Sequence, residues 1–284
     1  MPELFLYLFI STTPIYILIF KGSKYSILLK HDGDFIYASI SGSVKAGAKT
    51  GNFPSDSKRA FAREVLTLLK KRYANEMHTA LKHSNPWELL VATILSAQSQ
   101  DSQVNKVTPS LFKRYKTIKS FADAKPRDLY RYVKSLGLYR SKAKSIVLSA
   151  RSIMKRFGGK VPSNMGGLIS LHGVGRKTAN VVLSNAFGIN SGIAIDTHCI
   201  TVSNRLGFVH VRDPKKIEAV LMAEFPMREW GNVSHLFIAL GRDVCRAQAK
   251  YCSRCVLKRI CPSSTYRMHS KNPGNFYRAG ISKT

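Results

Sequence analysis

From about residue 56 to residue 261 the apolar positions recur at helical spacing, and before residue 56 they do not. Phe61, Val65, Leu68 and Leu69 fall at i, i+4, i+7 and i+8, one face of a helix. Asn85-Pro86-Trp87-Glu88 reads as a helix start: Asn85 to cap, Pro86 suited to the first turn, and Glu88 reaching back as in a capping box. That helix continues through Leu89, Leu90, Ile94 and Leu95. Further helices are predicted over 104–115, 126–136, 141–157 and 214–225, separated by short breaks containing Gly or Pro. No repeat, low-complexity tract or run of alternating strands interrupts them, so the predicted fold of this region is all-α.

Residues 161–188 are the most informative stretch. Ser163 is positioned to cap a short helix through Ile169, Leu171-His172-Gly173-Val174-Gly175 makes a tight turn, and a second helix runs from Arg176 to Phe187 and stops at Gly188. In it Ala179, Val182, Leu183, Ala186 and Phe187 form a buried stripe, and Lys177 lies roughly opposite the middle of that stripe. Gly173 and Gly175 lack side chains, so backbone N–H groups at the helix start can approach a phosphate. The spacing matches neither G-x-G-x-x-G nor a P-loop. Taken by itself, the stretch also reads as an ordinary glycine turn with Lys177 a solvated charge.

The first 55 residues read differently. An apolar run over 4–20 is broken only by Ser11, Thr12, Thr13 and Pro14, and two apolar segments flank Asp32-Gly33 in a hairpin pattern. The run falls short of the roughly 20 residues of a spanning helix, and no Lys or Arg precedes it as in a signal peptide. A small β appendage of uncertain role is expected, or upstream sequence that is never translated; a membrane partner is not.

Charge then restricts the partners. The chain carries 45 Lys+Arg against 16 Asp+Glu, net +29, with 44% hydrophobic residues. Residues 1–55 hold five Lys against Glu3, Asp32 and Asp34, and 262–284 form a basic tail with four basic residues and no acid, so +23 lies between 56 and 261. The apolar content excludes a disordered basic tail, and so concentrated a positive charge favours nucleic acid. Four of five cysteines, Cys245, Cys252, Cys255 and Cys261, share one short segment with the spacing Cys-x6-Cys-x2-Cys-x5-Cys. That crowding suits a metal better than disulfides and indicates a reducing compartment; by spacing alone zinc and an iron–sulfur cubane are both admissible. Arg246, Lys250, Arg254, Lys258 and Arg259 lie between these cysteines without an acid among them. Cys199, between His198 and Ile200, is expected to be packed in the core.

The segment LHGVGRKTANVVL, with Ile195-Asp196-Thr197-His198, Asn204-Arg205-Leu206-Gly207 and the cysteine spacing, resembles the endonuclease III family of helix-hairpin-helix, iron–sulfur DNA glycosylases. The resemblance covers about residues 56–261. It implies a two-lobed fold, with a helical bundle over 79–189, a second lobe of 56–78 plus 190–261 that carries a 4Fe-4S cluster on the four cysteines, and an active cleft between them. It implies a monomer in the cytoplasm or nucleoid, or a eukaryotic nucleus or mitochondrion, acting on duplex DNA that contains oxidised or ring-saturated pyrimidines or abasic sites.

The same resemblance makes Lys177 the nucleophile and Asp196 its assistant. A lysine amine can attack C1′, expel the base and form a Schiff base, after which β-elimination cleaves the strand; a guanidinium cannot. Attack needs the neutral amine, which basic neighbours favour; Asp196 opposes this unless it accepts the proton or faces the cation developing on the sugar. Asp196 by itself also reads as a helix cap. Relatives that excise adenine carry a glutamate where Thr93 stands, and monofunctional relatives usually lack the lysine. The hairpin residues His172, Gly173, Val174, Gly175 and Arg176 are expected on DNA.

Gln98 and Leu138 correspond to residues that enter the duplex where the flipped base leaves a gap; their bland readings are a helix-end polar residue and a core leucine. Asp101 is adequately explained as a cap. Two departures stand out: His172 where relatives often have proline, and Thr201 where many have arginine. The runner-up functions are a monofunctional glycosylase and a non-catalytic DNA-binding module.

Overall fold

The computed structural model describes residues 5–10, 13–19, 24–31, 34–41 and 56–268, with side chains placed over 56–266. The basic tail beyond residue 268 lies outside the described residues. The chain divides into two compact units, Met1–Ser55 and Asp56–Thr284.

In the first unit β1 (Phe5–Ile10), β2 (Thr13–Ile19), β3 (Lys24–His31) and β4 (Asp34–Ser41) form an antiparallel sheet in that order. The apolar run is therefore taken up by two paired strands, and the pairing of His31 with Asp34 closes a hairpin around Asp32-Gly33. Among the described residues no helix is long and apolar enough to cross a membrane.

The second unit is helical: α1 (Asp56–Arg72), α2 (Pro86–Ser96), α3 (Asp101–Arg114), α4 (Ile118–Asp123), α5 (Pro126–Val133), α6 (Tyr139–Arg156), α7 (Met165–Ile169), α8 (Arg176–Phe187), α9 (Thr197–Arg205), α10 (Pro214–Glu224), α11 (Trp230–Asp243) and α12 (Thr265–Met268). Asn85 caps α2 through its Oδ1 on the Glu88 amide at 2.9 Å, and Glu88 reaches back to the Ser84 amide at 2.7 Å, one residue beyond the box predicted. Two expected caps are corrected. Asn164, not Ser163, caps α7, because the helix begins at Met165 and the Asn164 oxygen meets the Gly167 amide at 2.8 Å. Asp101 is the first helical residue of α3 rather than its cap, and its carboxylate takes Arg242 at 3.2 Å. Helices α4, α11 and α12 have no counterpart among the predicted elements.

Two hydrophobic cores result. One gathers α2–α8 around Leu89, Leu90, Phe121, Ile146 and Leu183; the other gathers α1 and α9–α11 around Leu69, Cys199, Leu221 and Phe237. The stripe on α8 enters the first core as its periodicity requires, with Ala179, Val182 and Leu183 fully buried. Three polar links cross between the cores: Arg176 to Glu218, Asn180 Nδ2 to Glu218 Oε1 at 2.8 Å, and Arg242 to Asp101.

Candidate functional site

A cleft of about 250 Å³ opens between the two cores and is walled by the start of α8, the end of α2, the start of α9 and one face of α11. Lys177, Asp196, Gln98 and Asp101 line it, together with Thr93, His235 and Arg242. Lys177 is exposed, as its place opposite the apolar stripe dictates. Asp196 both faces the cleft and caps α9: Oδ1 accepts from the Cys199 amide at 2.8 Å, so the two readings of this residue are compatible. Cys199 below it is fully buried, and burial first, then the Asp196 charge, pushes its thiol far up.

The hairpin turn separates the two glycines. Gly173 has φ +73°, and a Cβ there would lie 2.8 Å from the Ser145 side chain; packing against α6 requires glycine, and Ser149 Oγ also donates to the His172 carbonyl at 2.9 Å. Gly175, the N-terminal cap of α8, has φ −94° and no atom within 4 Å of such a Cβ. No side chain caps α8, so its first amides lack an internal partner. His172 and Arg176 are exposed, although Arg176 Nε also donates to the buried Glu218, and Val174 is buried.

Gln98 and Leu138 are the two non-glycine residues with positive φ among the described residues, at 54° and 56°. Leu138 is 60% exposed, so it is not a core leucine. An exposed leucine held in a left-handed conformation indicates a constraint other than packing.

Cys245, Cys252, Cys255 and Cys261 line one small cavity with Arg205, Lys250 and Lys258. Among the described residues no three His, Cys, Asp or Glu side chains close to the spacing of ligands on a single ion. Burial, and then the neighbouring thiols, push Cys255 up and Cys261 up to about 11. At Cys252 burial is outweighed by hydrogen bonds from Thr265 and Ser264, and the thiol is lowered. Arg205, at the end of α9, donates to Cys245 Sγ at 3.4 Å and to the carbonyls of Arg246 and Ala247 at 2.7 and 2.9 Å. Lys250 and Lys258 are tied to the carbonyls of Ser263 and Ser253. Four thiols gathered in one cavity, with burial and the neighbouring sulfurs opposing ionisation of Cys255 and Cys261, and ringed by three cations, fit an anionic metal–thiolate group.

Residues 91–227 match the HhH-GPD superfamily of base excision DNA repair proteins. The endonuclease III of Synechocystis is 45% identical over 208 residues, 73% of this chain and 94% of that protein. The chain belongs to the endonuclease III family. The endonuclease III of Bacillus subtilis is 44% identical over 64% of this chain and 83% of that protein. A solved structure of a trapped endonuclease III–DNA covalent intermediate, in an estranged-adenine complex, superposes with a TM-score of 0.69 at 40% identity, covering 74% of this chain and 98% of that one.

Within this endonuclease III family chain, sequence reasoning misses four residues at or beside the cleft. His235 and Arg242 come from α11, a helix outside the predicted set. Lys142 is buried beside Gln98 and Leu138, and Glu218 is buried against Arg176; each depends on packing between segments distant in sequence. At the departures, Thr201 Oγ1 donates back to the Thr197 carbonyl at 2.9 Å. Thr93 is buried with its hydroxyl on the Leu89 carbonyl at 2.7 Å.

Proposed function

We propose that this chain excises oxidised or ring-saturated pyrimidines from duplex DNA and then cleaves the strand at the resulting abasic site. The observation that carries the reading is the meeting of Lys177 and Asp196 in one cleft, each delivered by a helix start and each from a different core. A base must leave the stack before its sugar can be reached. Gln98 and Leu138 stand at the surface to fill the gap, while the uncapped amides of α8 and the backbone of Gly173, Val174 and Gly175 hold the phosphate, with His172 and Arg176 beside them.

The neutral Lys177 amine attacks C1′; the C1′–N bond breaks and the base leaves with a proton. Loss of the second amine proton and opening of the sugar give the imine. Removal of a C2′ proton then expels the 3′ phosphate with the C3′–O bond electrons. Asp196 receives the amine proton and faces the positive charge developing on the sugar.

Cys245, Cys252, Cys255 and Cys261 would hold a 4Fe-4S cluster, which supplies a structural anchor rather than redox chemistry. Arg205, Lys250 and Lys258 offset its negative charge, and the outer loop cations Arg246, Arg254 and Arg259 are available to DNA phosphate. The bundle lobe then spans 79–189 and the cluster lobe 56–78 plus 190–261, acting as a monomer inside the cell.

Borohydride trapping tests the reading, on duplexes carrying thymine glycol or an abasic site at fixed salt. Wild type is expected to give a covalent adduct on both, and Lys177→Gln on neither, with its melting temperature unchanged because Lys177 is exposed. Cluster-loaded wild type that releases base without an adduct would be a monofunctional glycosylase; neither base release nor adduct would leave a DNA-binding module.

A further inference from the structure

Gln98 follows α2 and Leu138 precedes α6, yet the two turns meet: a Cβ on Gly137 would lie 3.8 Å from the Gln98 carbonyl oxygen. One residue joins them, by its backbone on the Leu138 side and by its side chain on the Gln98 side. Lys142, one turn into α6, donates from its backbone to the Leu138 carbonyl at 3.0 Å and from Nζ to Ser99 Oγ at 2.8 Å. It is only 4% exposed, and no ion pair to it exists among the described residues. Burial alone lowers its ammonium's pKa. Taking an ammonium out of water to meet a single hydroxyl disfavours folding, and an apolar side chain of that length would fill the space at lower cost. The fold therefore does not explain a lysine here. Its position does, because both left-handed residues need their neighbours to hold them.

We propose that Lys142 is a positioning residue for DNA insertion: through Ser99 on one side and the Leu138 carbonyl on the other, it fixes Gln98 and Leu138 as one two-pronged wedge. The proposal rests on the reading of those two residues as the groups that enter the duplex. A tied wedge matters most when a stacked base must be extruded, and least when the base is already absent. A Lys142→Met variant is therefore expected to melt at or above the wild-type temperature, because an unpaired buried cation has been removed. Single-turnover base release from a thymine-glycol duplex should fall about tenfold, while cleavage at a preformed abasic site changes less than about threefold. Ser99→Ala removes the acceptor alone and should shift the two rates the same way; it carries the comparison if Lys142→Met does not fold.

Gln98→Ala and Leu138→Ala in the same assays separate the two levels of the argument. If they slow base release and neither Lys142→Met nor Ser99→Ala does, the wedge stands and Lys142 is not its tie. If Lys142→Met melts lower and slows both reactions equally, its role is structural and the proposal is wrong. If Gln98→Ala and Leu138→Ala leave base release unchanged, the wedge reading fails and takes the proposal with it.

Discussion

The two helices that bring Lys177 and Asp196 to the cleft begin in opposite ways. Helix α8 starts open: Gly175 caps it without a side chain, no acid stands in its first turn, and Lys177 is solvent-exposed. Helix α9 starts closed: Asp196 takes the Cys199 amide at 2.8 Å, over a fully buried Cys199 whose surroundings are tied by Ser234 Oγ on the Ala194 carbonyl at 2.7 Å. A cation in the first turn of a helix works against its dipole by about 0.3–1 kcal/mol, whereas a carboxylate there is stabilised. Stability thus explains Asp196 and opposes Lys177. The contrast gives the two starts different roles, since α8 leaves its amides for a ligand and α9 uses its cap to hold one carboxylate still.

The largest effect that separates these roles is expected at Asp196. Asparagine caps a helix as well as aspartate does, so Asp196→Asn should melt within a degree or two of wild type while single-turnover base release falls about 10² to 10⁴-fold. Asp196→Ala should lose the same rate and about 1 kcal/mol of stability as well. Thermal melting and base release on the same preparations read both. An Asn variant with wild-type rate would reduce Asp196 to a cap.

Next come the two glycines ahead of the open helix. Gly173→Ala meets a positive φ and Ser145 at 2.8 Å, and should cost about 1–3 kcal/mol in melting measurements. Gly175→Ala meets nothing in the protein, so its stability loss should stay below about 1 kcal/mol, the Gly-to-Ala difference at a cap. Its effect should appear instead in duplex affinity at fixed salt, weakened about tenfold because the added methyl obstructs the phosphate. Wild-type affinity in Gly175→Ala would remove the anion site from α8.

The open helix is legible in the sequence because local signals specify it. The Gly173 and Gly175 turn, the Ala179 to Phe187 stripe and the stop at Gly188, where φ is +66°, all lie within sixteen residues. What is not legible depends on distant partners. Helix α11 carries Gly231 and Gly241, which weaken a helical pattern; they are there because a Cβ on the first would lie 3.1 Å from the Ser184 and Asn190 side chains and a Cβ on the second 2.8 Å from the His198 side chain. Along α1 the buried residues are Ala62, Val65, Leu66 and Leu69, so the face is rotated from the predicted one, and Phe61 and Leu68 pack at its edge. Asp101 reads as a cap because its partner, Arg242, lies 141 residues away. Burial of Lys142 is equally hidden, since the residue sits in an ordinary helical pattern and the hydroxyl that meets its ammonium, on Ser99, lies 43 residues away in the sequence.

The smallest expected effect concerns the wall shared by both helix starts. His235, on α11, lines the cleft, and burial first, then the charges of His78 and Arg242, pushes its ring down to about 4. The native ring is therefore neutral at pH 7, while an unfolded chain takes up a proton below about 6.5. Its contribution is fully present above pH 6.5 and is lost as pH falls toward 4, because the unfolded state binds the proton first. Melting of the protein should decline by a few degrees between pH 7 and pH 5, and His235→Gln, which does not titrate, should flatten that limb. Comparing the two curves cancels the acid sensitivity of the cysteine cluster, which is common to both. Parallel curves would mean that the ring is hydrated enough to titrate normally, and that the wall facing Lys177 and Asp196 is wetter than its packing indicates.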